Sequence, residues 1–169
     1  IGIIVIILSP VIIIWLLVLY FFHERRDKNS MVKRSELSDG LVRRLEAYED
    51  IFNQNQFTQV LVVKPGKMRL ITLHAFMIFT RALVRNLFVK GKLMGIPTIH
   101  FARWVLIDNN KHMMFFSNYD GSWQQYLGDF IDKSGWGLTA IFSNTMVFPK
   151  TRFLLTGGAY DEEHFLAWS

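Results

Sequence analysis

The chain has 169 residues and no cysteine, which excludes disulfides, thiolate chemistry and Cys-ligated zinc or iron–sulfur centres. Nineteen Lys and Arg against fourteen Asp and Glu leave a formal net charge of +5, which raises nucleic acid as a partner class until the charge is located along the chain. No internal repeat or low-complexity segment interrupts it, and the length beyond its first apolar run suits one domain rather than two.

Ile1 to Phe22, IGIIVIILSPVIIIWLLVLYFF, is an almost unbroken apolar run. A helix of roughly 20 apolar residues rising about 1.5 Å each matches a hydrocarbon core about 30 Å thick, so residues 1–22 are expected to span a membrane. Ser9 and Pro10 are tolerable in such a helix. A cleaved signal peptide is the rival reading, but its apolar core is shorter, and no small-x-small site follows Phe22. Arg25, Arg26, Lys28, Lys33 and Arg34 crowd behind the run, which by the positive-inside rule puts the body of the protein on the cytoplasmic side.

Residues 23–56 read as a basic juxtamembrane segment followed by an amphipathic helix over about 39–52, with Leu41, Val42, Leu45, Tyr48, Ile51 and Phe52 at helical spacing. Its Arg43, Arg44, Glu46 and Glu49 read as a solvated face. Residues 57–169 are expected to form an α+β domain. Thr58 to Lys64 is a buried strand closed by Pro65-Gly66. Met68 to Val89 is a long, mostly apolar helix in a stretch, Ile51 to Ile107, that holds no Asp or Glu. With Arg69 at zero on its wheel, His74, Arg81 and Arg85 fall in a stripe at about 120–160°. Such a helix is either a core helix packed on a sheet or an interfacial one, and Lys90 and Lys92 follow at its end. Arg25, Arg26, His74, Arg81, Arg85, Lys90 and Lys92 are therefore the candidate contacts to anionic lipid headgroups or to a partner subunit.

A hairpin follows, 98–108 and 112–118, turned by Asn109-Asn110-Lys111. Ser122 caps the next helix, with Gln125 at the reciprocal position of a capping box, and this helix is expected to end near Lys133. Ser134 to Asn144 reads as a loop with one short strand, Thr151 to Thr156 as a last strand, and Asp161-Glu162-Glu163 as the start of a terminal helix. The order strand, helix, strand, strand, helix, strand is the ferredoxin-like βαββαβ arrangement, an antiparallel sheet with flanking helices.

The stretch IHFARWVLIDNNKHMMFFSNYDGSWQQYLGDFID, within about 57–160, resembles the half-barrel units of the dimeric α+β-barrel superfamily, which includes dye-decolourising peroxidases and chlorite dismutase-like proteins. The resemblance implies a sheet that pairs with a second copy or second domain and, in some members, a haem pocket between sheet and helices. It also implies a GxxDG motif whose Asp assists peroxide cleavage; here that stretch is Ser117-Asn118-Tyr119-Asp120-Gly121, with Ser for the first Gly. Asp120-Gly121 equally suits a plain strand-to-helix turn.

The five histidines share no HxxxH or HxH spacing, so no local metal site is expected, and no cofactor is required. His100 shares a strand face with Ala102 and Trp104 while Arg103 points the other way, and His74, in an apolar helix, is the better functional candidate. No GxSxG, GxxxxGK[ST] or GxGxxG signature is present, and no catalytic residue can be named. Three functions remain: an accessory or structural subunit of a membrane complex, expected on the surplus of 15 Phe and 7 Met; a membrane-bound haem-dependent peroxidase-like enzyme; and a nucleic-acid module using Phe101, Phe115 and Phe116.

Overall fold

The computed structural model describes residues 2–28, 33, 38–49, 54–87 and 96–169. Two helices come first, α1 (Gly2–Phe22) and α2 (Asp39–Tyr48). The domain then runs β1 (Asn55–Val62), α3 (Lys67–Leu87), β2 (Ile99–Ile107), β3 (His112–Tyr119) and α4 (Trp123–Phe142), and ends in a short hairpin and α5 (Glu162–Trp168).

The three long strands form one antiparallel sheet in the order β1-β3-β2. Its hairpin turns through Asp108, Asn109 and Asn110, all at φ between 50° and 65°, a left-handed conformation that Asn and Asp tolerate better than most residues. On β3, period-two alternation sends Met113, Phe115, Ser117 and Tyr119 inward, where α4 meets them with Tyr126, Leu127, Phe130 and Phe142. Aromatic pairs bind the layers: Tyr119 on Tyr126 at 4.2 Å between centroids, Phe115 edge-on to Phe142 at 5.4 Å. The opposite sheet face is uncovered by any described element. The register sets Val60, Met114 and Val105 side by side there, with Val62 and Ile107 flanking His112 in the next row.

Two expectations fail for one reason, that packing outweighs local propensity. α4 does not stop at Lys133 but continues through Ser134, Gly135 and Gly137 to Phe142. Each mid-helix glycine costs about 1 kcal/mol relative to Ala, yet the buried series Leu127, Phe130, Ile131, Ser134, Leu138, Ile141 keeps helical spacing straight through. Gly135 leaves room for the Tyr160 ring, which a Cβ there would meet at 2.8 Å. The last strand is also absent from the sheet. Residues 151–156 fold instead into a tight hairpin of β4 (Thr151–Arg152) and β5 (Thr156–Gly157), with Phe153 and Leu154 at φ 55° and 58°. Among the described residues the backbone at the free edge of β1 is met at its end, where Met146 N donates to Val62 O at 2.8 Å. The domain is thus α+β with an antiparallel sheet, but three of the four strands of the expected βαββαβ arrangement are joined.

Among the described residues no helix is long and apolar enough to cross a membrane. The side chains of α1 are described from Ser9 to Phe22. Val11, Ile12, Ile13, Ile14, Leu17, Phe21 and Phe22 are all exposed along it. Its C-terminal end, by contrast, is fixed to the domain: Leu19 is fully buried, Tyr20 stacks on Phe153 at 4.3 Å, and Trp15 Nε1 donates to Thr72 Oγ1 of α3 at 3.0 Å.

Candidate functional site

The residues immediately after α1 build the most heavily engineered polar site among those described. Phe22 is followed by a single turn, His23, and then by a 3-10 turn over Glu24–Arg26. Glu24 is fully buried. A carboxylate taken from water must recover its hydrogen bonds, and three donors from the β4–β5 hairpin supply them. Thr151 Oγ1 donates to Oε1 at 2.5 Å, Leu154 N to Oε1 at 2.9 Å, and Phe153 N to Oε2 at 2.6 Å. The left-handed φ values of Phe153 and Leu154 turn these two consecutive N–H groups toward one point, forming a backbone concavity suited to an anion. The anion it holds is the protein's own.

One turn further on, Asp27 Oδ2 accepts from Lys64 Nζ at 2.7 Å and from Arg69 Nη2 at 2.6 Å. Ser143 O at the end of α4 accepts from the same two cations, at 2.8 Å from Lys64 Nζ and 3.5 Å from Arg69 Nη1. This cluster ties the segment after α1 to the end of β1, the start of α3 and the end of α4. Burial holds the Lys64 ammonium below the usual lysine range, while its bond to Asp27 acts in the opposite direction. His23 is likewise held below the usual histidine value, first by burial and then by the nearby Arg69 guanidinium. Only 2% of the Arg69 side chain is exposed, so the pair works in a setting where losing one partner strands the other.

A second acid, half-buried, organises the opposite end of the sheet. Glu49 Oε1 accepts from Trp123 N at 2.9 Å, placing negative charge at the start of α4 where the helix dipole favours it, and lies 3.4 Å from the Tyr119 hydroxyl that donates to it. Burial first, and the Glu49 carboxylate second, push the Tyr119 phenol up to about 12. Glu49 was expected on a solvated face, and the structure turns it inward. Arg43 and Arg44 do face solvent.

The residues singled out from sequence fall as follows. Arg25 and Arg26 are exposed beside the buried Glu24, and Arg25 lies 5.9 Å over the Phe21 ring. His74, Arg81 and Arg85 are exposed on α3, along one edge of an apolar stripe of Ile71, Ala75, Ile78 and Phe79, and His74 Nδ1 is 2.9 Å from Leu70 O. Lys90 and Lys92 lie outside the described residues. Sequence reasoning passed over Glu24, Asp27 and Lys64, and used Arg69 only as an origin for the wheel. The available signal was Arg69 itself: on the buried side of α3, in a stretch without acids, it requires a carboxylate brought from elsewhere in the chain.

Chemistry implied by the peroxidase resemblance has little support in the geometry. His100 occupies a bulge in β2 that frees it from the strand's alternation, and its Nε2 meets Asp120 Oδ2 at 2.7 Å, both residues being substantially exposed. Asp120 is thus engaged by a histidine rather than by the backbone N–H groups of a plain turn. Two cavities between the sheet and its helices hold only about 10 Å3 each, too little for a haem in either. Among the described residues no three His, Asp or Glu side chains converge to hold a metal ion. Of the three candidate aromatics for base stacking, Phe115 is in the core. Comparison with protein-family models, with curated proteins and with solved structures returns no match.

Proposed function

We propose that this chain is a membrane-anchored accessory or structural subunit of a larger membrane complex, acting through protein and lipid contact, with its domain on the cytoplasmic side. The observation that supports it is the pair of acids behind α1: Glu24 and Asp27 are consumed in fixing the helix to the domain, with no catalytic geometry around them. A tether meant only to restrain a free enzyme does not need a buried lock at its root. The apolar run of residues 1–22 has the length a span requires, and Trp15 of α1 reaches Thr72 of α3, the residue after Ile71 of the exposed stripe. Neighbouring apolar surface and a basic edge of His74, Arg81 and Arg85 suit lipid below and headgroups beside it. The uncovered sheet face, with Val60 at 59% and Phe101 at 46% exposed, offers a separate surface for a protein neighbour.

Two measurements test this reading. The full chain should stay in the membrane pellet on alkaline carbonate extraction, and deletion of residues 2–22 should release it. In a mild detergent it should migrate in native gels well above its monomer mass, and Val60→Asp combined with Phe101→Asp should return it toward the monomer without lowering its unfolding midpoint. Release of the intact chain by carbonate, or monomeric migration throughout, overturns the proposal.

A further inference from the structure

A cavity of about 510 Å3 opens where α1 meets the β4–β5 hairpin. Its wall carries three cations, Arg25, Lys150 and Arg152, with Tyr20, Thr156 and Gly157 between them. The arrangement follows from strand geometry. Lys150 and Arg152 are two residues apart and exposed, while Thr151 between them is buried and donates to Glu24. The buried bond therefore fixes the backbone from which both cations project, and Arg25, next to Glu24 in sequence, is fixed from the other side. Gly157, at φ 71° and ψ −144°, closes the floor: a Cβ there would collide with the Lys150 carbonyl. The one acid on the wall, Asp161, is turned to His164, whose Nδ1 lies 2.8 Å from Oδ1 and 2.9 Å from Oδ2.

From this we infer that the cavity binds a phosphate-bearing anion, and that the anion is the headgroup of an acidic glycerophospholipid. The phosphate chemistry rests on the two guanidinium groups, Arg25 and Arg152, on one wall against one engaged carboxylate, with Lys150 beside them and the Thr156 hydroxyl bonded to Arg152 O. The choice of a lipid rests on the anchoring proposed above. Tyr20 is two residues from the end of α1, so a spanning α1 puts the cavity mouth at headgroup depth. Exposed apolar residues also border it in the chain, Phe21 and Phe22 on one side and Leu155 at the hairpin tip on the other, each at least half exposed. A free phosphate has no use for them, whereas acyl chains do.

The test uses the full chain in an uncharged detergent, with water-soluble probes, so that it reads the cavity whether or not α1 spans a bilayer. Calorimetric titration with dihexanoyl phosphatidic acid should show saturable binding at least tenfold tighter than with dihexanoyl phosphatidylcholine or inorganic phosphate. Arg25→Gln and Arg152→Gln should each weaken it roughly ten- to a hundredfold, as expected for loss of a charged hydrogen bond, with the unfolding midpoint unchanged. Lys133→Gln, on the exposed side of α4, should bind as the parent does. Inorganic phosphate binding as tightly as phosphatidic acid overturns the lipid assignment and leaves a free-phosphate site. Absence of saturable binding, or full affinity in both arginine variants, overturns the site altogether. Failure of carbonate retention with intact probe binding would instead refute the anchoring and spare the cavity.

Discussion

Replacing Glu24 by Gln changes no volume and removes one charge, so its effect isolates what the carboxylate does. Gln can present its single carbonyl oxygen to Thr151 Oγ1 and Leu154 N, where Oε1 now sits. Its amide nitrogen then faces Phe153 N, which lies 2.6 Å from Oε2 in the native arrangement, and two donors cannot share that distance. Hydrogen bonds to a charged group contribute about 1.5–3 kcal/mol each. Losing one, and weakening two from charged to neutral, sums to roughly 3–5 kcal/mol, a large share of the about 5–15 kcal/mol that holds an ordinary domain. Because these bonds hold the hairpin tip beside the buried Leu154 and the Tyr20–Phe153 stack, the loss should appear first as local opening there. Trypsin cleavage after the exposed Arg152 should accelerate about a hundredfold or more, and the urea midpoint followed by tryptophan fluorescence should fall. Glu24→Gln with an unchanged midpoint and unchanged cleavage at Arg152 would show that the carboxylate does not hold the hairpin, and the reasoning would be refuted.

Removing one member of the neighbouring cluster should be as costly. Asp27→Asn removes the carboxylate that Lys64 and Arg69 share and should destabilise by about 3–5 kcal/mol, whereas Asp27→Asn with Arg69→Met should cost less than the sum of the single changes; additive urea midpoints would deny the coupling. Tyr119 sets a pH dependence in the alkaline range. Its folded pKa is raised to about 12 against 10.0 for the free phenol, so above pH 10 the folded chain retains a proton that the unfolded chain releases, and stability should fall as pH rises from about 10 to about 12. Tyr119→Phe should flatten that slope, and an equal slope in the variant would assign it to other groups. Gly157→Ala combines a left-handed φ with a collision against a backbone carbonyl and should cost about 1–3 kcal/mol, measured by thermal unfolding; a neutral outcome would mean that β5 can shift freely.

The hairpin and α3 were legible because each has an unambiguous period. Thr98 to Asn118 alternates around an Asn-rich turn, and the structure differs there only by a residue at either end and by the bulge at His100. α3 was read to within a residue or two of its start for the same reason. Ser134 to Asn144 was misread because Ser and Gly are strong local punctuation, and what outweighs them, burial of Leu138, Ile141 and Phe142 in the core, depends on residues from the rest of the chain. Thr151 to Thr156 has strand composition, but its backbone serves Glu24, more than a hundred positions earlier. The buried acids were hidden by their context. Glu24 and Asp27 sit among Arg25, Arg26 and Lys28, where a reader sees a charge cluster facing lipid headgroups, and only the fold reveals that the acids turn inward while the arginines stay out.

Leu19, Glu24 and Asp27 leave almost no slack between α1 and the body of the protein, and this makes the helix a shaft rather than a rope. A rotation or tilt of α1 is transmitted to the whole domain. Inserting one residue after Phe22 would tend to turn the domain by about 100° about the helix axis, and inserting four would nearly restore its heading while lifting it about 6 Å. Any neighbour gripping the sheet face would therefore sense the helix's azimuth as well as its presence.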